Sequence, residues 1–259
     1  MLPTKLVPLG IAVLTSSIFT VSAVADSIGV NFTGPTTSGN GAGSDANDVR
    51  ALDPVVVAGV IPASNWNNGD GATGGLEALV NDVGGIGTPT TAAVSWTSNA
   101  TWTAHNTPGG SSGDQILTNG YIDDTSEGLN NPSIPTTISF TGIPFVGAYD
   151  VYLYFGSDGN NRTGLATLGN TVINFATNTN PFDGTYTAAT PEDDGAADDG
   201  EYALFSGVSG ADFSITVERG TNNVGVHGVQ IVGAIPEPAT FGLLSIGVLG
   251  LVSRRRRSA

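Results

Sequence analysis

The sequence predicts an all-β fold, a single antiparallel β-sandwich of jelly-roll-like form, on three observations. Glycine supplies 37 of 259 residues, about twice its ordinary share. Only 12% of residues are charged, so Glu and Lys, which favour long helices, are scarce. Several short segments alternate apolar and polar residues with a period of two, as half-buried strands do. With 39% hydrophobic residues and about 210 residues between the two ends, one packed core is within reach.

In chain order, residues 1–25 have the form of a secretory signal peptide. Lys5 is the basic start, 9–21 is a mostly apolar stretch, and Ala23 and Ala25 place small residues where a signal peptidase cuts. The body, 26–233, opens on Ile28, Val30 and Phe32, which alternate with Gly29 and Asn31. Further strands are expected over 55–61 and 92–96. Ile138 and Phe140 alternate with Thr137, Ser139 and Thr141. The strongest pattern is 149–155, with Val151, Leu153 and Phe155 in one row and Asp150, Tyr152 and Tyr154 in the other. Strands over 171–175, 202–205, 213–218 and 224–232 complete the set.

Glycine-rich and Asn/Asp-rich turns separate these strands. Ser157-Asp158-Gly159-Asn160-Asn161 reads as a hairpin turn between 152–155 and 165–168. The one helix candidate, 76–83, is short and flanked by glycine. No period of 20 to 50 residues repeats, which argues against a solenoid or propeller. Strands continue beyond the acidic stretch 193–201, so it reads as a loop within one domain.

The third region, 234–259, holds Pro236, Glu237 and Pro238, an apolar segment over 239–252, and then Arg254, Arg255, Arg256 and Arg257. Fourteen helical residues rise about 21 Å, against a hydrocarbon core of about 30 Å. The segment is therefore a short transmembrane helix at most, and Gly242, Gly247 and Gly250 weaken it as a lasting anchor. The arginines favour a cytoplasmic position for the tail end, with the body outside.

This arrangement resembles the PEP-CTERM sorting signal, in which a Pro-Glu-Pro motif precedes a short membrane segment and a basic end. The resemblance implies recognition and processing by an exosortase at the inner membrane. It also implies a Gram-negative host that makes exopolysaccharide or biofilm, with the protein exported to the cell surface or matrix. In the body, 149–164 together with 226–231 is similar in pattern to the end of a galactose-binding-like or malectin-like sandwich, where a hairpin and a last strand close the sheet.

Charge excludes some functions. Residues 26–253 carry three cations, Arg50, Arg162 and Arg219, against 23 acids, a net −20. Such a surface repels phosphate backbones, so no nucleic-acid partner is expected. The chain has no cysteine, which removes disulfides, thiolate metal sites and cysteine nucleophiles. Six carboxylates crowd between Glu192 and Glu201. Asp193, Asp194, Asp198 and Asp199 among them are hard oxygen ligands suited to Ca²⁺, but their spacing fits no EF-hand and a solvated acidic loop is the better account of them. Asp45, Asn47 and Asp48 form a weaker group of the same kind.

Tyr152 and Tyr154 stand two residues apart, about 7 Å along a strand. On an outward row they would suit stacking on successive sugar rings, unless a loop or cross-strand neighbours cover them. Trp66, in an Asn-rich turn, is a third binding candidate, whereas Trp96 continues the apolar row of Val94. His105 lies in a Gly/Pro/Ser loop, and His227 shares a strand face with Val229 and Ile231. No nucleophile elbow, zinc-spaced histidine pair or phosphate loop is present. The reading is of a non-enzymatic polysaccharide-associated module. The rivals are a carboxylate-based polysaccharide hydrolase or lyase, and a purely structural matrix protein.

Overall fold

The computed structural model describes residues 26–34, 51–104, 112–124, 134–178, 182–189 and 198–233. Their strands, in order, are β1 (Ser27–Phe32), β2 (Asn67–Gly69), β3 (Thr73–Leu76), β4 (Val80–Val83), β5 (Ile86–Pro89) and β6 (Ala93–Thr97). Then follow β7 (Ala100–Thr103), the helix α1 (Gly113–Leu117), β8 (Gly120–Asp123), β9 (Thr136–Thr141), β10 (Ala148–Gly156) and β11 (Thr163–Leu168). The last are β12 (Thr171–Thr177), β13 (Ala188–Ala189), β14 (Asp198–Gly200), β15 (Tyr202–Ser209), β16 (Phe213–Thr221) and β17 (Gly225–Gly233).

They form a β-sandwich of two mainly antiparallel sheets. The larger runs β13-β15-β10-β17-β1-β4-β5, with β2 added in parallel to β1 and the β7–β8 pair joined to β17. The smaller runs β14-β12-β11-β16-β9-β6-β3. Strand β17 is the spine of the larger sheet. It pairs with β10 along its whole length, with β1 over 228–232, and with β8 at Gly225 and Val226.

The alternating rows do what period two demands. Ile28, Val30 and Phe32 from β1, Val151, Leu153 and Phe155 from β10, and Val229 and Ile231 from β17 meet Val94, Trp96, Ile138, Phe140, Ile173, Phe175, Ile215 and Val217 of the facing sheet. Each such side chain stabilises the fold by about 1.5–3 kcal/mol through burial. Phe155 stacks on Phe175 at 3.9 Å between ring centres, which ties the two sheets together.

Four local expectations differ from the structure. Residues 55–61 are irregular, with one bridge between Ala58 and Ala63. Val55 and Val57 of this segment are exposed, and its Gly59 and Val60 amides bond the side chains of Asp114 and Tyr154 instead of a strand. Residues 76–83 are not helical: β3 ends at Leu76 and β4 begins at Val80, joined through Ala78 in the left-handed region at φ 51°. Segment 157–161 closes no hairpin, because β10 and β11 lie in different sheets. The helix that does form, α1, is capped by Ser112, whose side chain accepts from Gln115 N while the Gln115 side chain bonds back to Ser112.

A fifth difference concerns the outer rows of the larger sheet. All six residues of β1 and all nine of β17 are buried, so this sheet is covered on both faces.

Candidate functional site

The cover on the outer face is built from residues 51–66, α1, and residues 182–187. Beneath it lies a second cluster that contains Leu52, Ala58, Trp66, Leu117, Tyr152, Tyr154 and Val232. Tyr154 is its centre and is fully buried. Its hydroxyl donates to Gln230 Oε1 at 2.8 Å and accepts from Val60 N at 2.8 Å, and Gln230 Nε2 donates to Ile61 O at 2.7 Å. Asp114 Oδ1 accepts from Gly59 N at 2.8 Å and from the Tyr186 hydroxyl at 3.0 Å. Two side chains of the sheet and one of α1 therefore hold the cover by its backbone and by Tyr186.

The rings pack in one layer. Trp66 meets Tyr154 edge-on at 6.0 Å, Tyr186 meets Tyr154 at 5.4 Å, and Tyr152 lies 5.8 Å from Tyr202. Trp66 Nε1 donates to Ala63 O, and its ring lies against Gly29, where an added Cβ would approach it to 2.6 Å. Burial pushes the Tyr154 and Tyr186 hydroxyls well above the ordinary tyrosine range, with Asp114 adding to the effect at both. These hydroxyls are hydrogen-bonding groups, not acids or bases for neutral pH.

Of the two readings of Tyr152 and Tyr154, a stacking platform or a covered row, the structure has the covered row. They do point away from the inter-sheet core, but the cover leaves Tyr152 8% exposed, Tyr154 0% and Trp66 4%. A strand's outer row faces water only if nothing is laid over it, and period two carries no information on that.

The segment after Trp66 is held by amide side chains. Asn67 Oδ1 accepts from Val80 N, and its Nδ2 donates to Gly29 O and Val80 O. It thereby bridges β1 to β4, whose own register is a single pair, Ser27 with Asp82.

His227 sits at the other end of β17, 3% exposed. Its Nδ1 lies 2.7 Å from Gly120 O; a carbonyl only accepts, so Nδ1 carries the proton. The ring stands edge-on to Tyr121 at 5.5 Å, and Nε2 is so close to Gly156 that a Cβ there would come within 2.1 Å. Beside it is a cavity of about 20 Å³ lined by Phe155, Ser157, Thr177, Phe182 and Glu201 among others. That volume holds one water molecule, not a sugar ring.

Both cations among the described residues, Arg162 and Arg219, lie near this end. Arg162 pairs with Asp158 at 2.6 Å and bonds Asn223, while Arg219 N donates to Asp124 Oδ2 at 2.9 Å. Asn223 Nδ2 in turn donates to Asp123.

Of the proposed calcium ligands, Asp198 and Asp199 lie in β14, paired in parallel with β12, and Asp199 is exposed. Asp193 and Asp194 lie outside the described residues, as do His105, Asp45, Asn47, Asp48, the signal-peptide positions Ala23 and Ala25, and the whole of 234–259 with its segment 239–252. Among the described residues no group of three or more His, Asp or Glu side chains is placed to hold a metal ion, and no helix is long and apolar enough to cross a membrane.

The outer face of the smaller sheet is open and uncharged over much of its area. Ser95, Ser139 and Ser214 are in register on β6, β9 and β16, and Ser139 and Ser214 share a hydrogen bond of 3.0 Å. Thr97, Thr137, Thr216 and Thr167 form the next row, across β6, β9, β16 and β11. The alternation of the sequence foretold which residues face out, but not that the hydroxyls would line up across strands.

No curated protein matches the chain. Residues 234–257 match the family model of the PEP-CTERM protein-sorting motif, a span that takes in Pro236, Glu237, Pro238, the apolar segment and all four arginines. A motif of this class implies recognition by an exosortase during sorting, with export and membrane-associated processing toward the cell surface. The chain therefore carries a PEP-CTERM protein-sorting motif, at residues 234–257.

Proposed function

We propose that the sandwich, residues 26–233, is a non-enzymatic module that associates with polysaccharide or matrix at the cell surface. The observation that carries this reading is the sorting motif, which delivers the body to that location. The rows Ser95–Ser139–Ser214 and Thr97–Thr137–Thr216–Thr167 support it, since neutral hydroxyls at strand spacing can exchange hydrogen bonds with a polyhydroxyl chain. A body of net −19 (22 acids against three arginines over 26–233) favours a neutral polymer over a polyanion. Contact is through exposed strand faces, because Tyr152, Tyr154 and Trp66 serve the cover.

Incubation of the purified protein with its host's exopolysaccharide tests this. Retention is expected, weakened when Thr137 and Thr216 are both replaced by Ala. Absence of retention refutes binding, and release of reducing ends by the wild-type protein refutes the non-enzymatic part.

A further inference from the structure

The two ends of the described body meet. Gly233 N donates to Asp26 O at 2.8 Å, and β1 and β17 are adjacent antiparallel strands. The sorting motif begins at 234, one residue after the buried strand β17 ends, so no spacer separates the sheet from the tail. Five residues lie between Gly233 and the apolar segment at 239. Fully extended, that connection reaches about 20 Å, of which the headgroup layer takes about 5–8 Å.

The same end of the sandwich carries several exposed apolar side chains. The loop from Gly142 to Gly147 presents Val146, 98% exposed, while Phe145 beside it packs within reach of Gly233. On the other side of β1, the β4–β5 hairpin runs past Asp82, the partner of Ser27, to a turn flanked by Val83 and Ile86, which are 41% and 69% exposed. Two of the carboxylates near this end are committed to the protein. Asp212 accepts from Gly142 N, and Asp82 accepts from Ser64 N, Asn65 Nδ2 and Gly85 N.

We infer that this end of the sandwich rests on the membrane surface while the tail is in place, with Val146, Val83 and Ile86 against lipid. The inference rests on the sorting-motif reading and on entry of 239–252 into the bilayer. Scattered exposed valines mean nothing by themselves. Here the short connection restricts which end can approach the bilayer, and apolar side chains flank the exit point on two sides. The patch is too small to bind strongly alone, but a tether of five residues raises its local concentration enough for a weak contact to set orientation. A body of net −19 gains nothing from anionic lipid, so the contact is apolar.

The absence of cysteine makes single-site labelling clean. Full-length protein bearing Val146→Cys, Ile86→Cys or Ile134→Cys, each with an environment-sensitive fluorophore, is reconstituted into phosphatidylcholine vesicles with brominated acyl chains. Ile134, 49% exposed and beyond the opposite end of β9, is the control. Labels at 146 and 86 are expected to shift to the blue and be quenched, and the label at 134 to do neither. Co-flotation with vesicles, read on the same samples, reports tail insertion. Flotation with 146 and 86 behaving like 134 overturns this inference alone. Loss of flotation overturns membrane entry of the tail and the inference with it.

Discussion

The two faces of the larger sheet are both buried, but by different chemistry. The inner face meets the smaller sheet mainly through aliphatic and phenyl groups, from Ile28 to Ile231, with the Trp96 indole among them, interlocked as in any close-packed core. The outer face carries tyrosines and Gln230 and meets Trp66 of the cover; hydrogen bonds from Tyr154 and Gln230 attach the cover, and Asp114 of α1 ties its segments together. The inner layer gains its stability from area, and the outer layer from area plus satisfied polar groups. The second kind is the more fragile, because losing one partner leaves another buried and unpaired.

Substitutions separate the two layers. Phe155→Ala removes the ring stacked on Phe175 in the inner layer, and a loss of about 3–5 kcal/mol is expected in urea unfolding. A loss below about 1 kcal/mol would mean that the sheets are not held together there. Alkaline pH probes the buried tyrosines. Tyr154 and Tyr121 have hydroxyls raised by burial, so between the unfolded value near 10 and their folded values only the unfolded chain loses these protons. Stability contributed by these groups is thus intact below about pH 10 and falls above it, by up to about 1.4 kcal/mol per pH unit for each. Denaturant midpoints at pH 8 and 11, with tyrosinate absorbance followed in parallel, should show ionisation coinciding with unfolding.

Smaller effects test the cover itself. Gly29→Ala pushes a methyl into the Trp66 ring, and a cost of about 2–3 kcal/mol is expected as the ring is displaced. Increased Trp66 solvent access, read by acrylamide quenching, would accompany it. Tyr154→Phe deletes two hydrogen bonds of about 1 kcal/mol each, and hydrogen exchange at Val60 should rise while the inner strands stay protected. Unchanged exchange there would mean that packing alone holds the cover. Asp158→Asn, at the partly exposed pair with Arg162, should cost less than about 1 kcal/mol.

Most inner rows were legible because alternation is a local property: Val151, Leu153 and Phe155 fall on one side whatever surrounds them. The cover was not legible. Residues 55–61 carry a run of valines that imitates a strand, while Gly59 N and Val60 N find partners only at Asp114 and Tyr154, 55 and 94 residues away. A weak signal did exist, since Gln230 is a lone amide in the apolar β17, and a polar side chain in such a strand needs a buried partner. The hairpin expected at 157–161 failed for a related reason: a turn sequence specifies a change of direction, not which sheet receives the next strand.

By itself the sequence determined the β class, the rows that enter the inter-sheet core, the acidity of the body and the sorting motif. These depend on residue identity and near neighbours. Only the tertiary structure decided that Tyr152, Tyr154 and Trp66 lie under a cover, that serines and threonines align across strands, and that Asp26 and Gly233 meet at one corner. Each of these is a matter of which distant segments are brought together, and that is decided by pairing and packing over long separations.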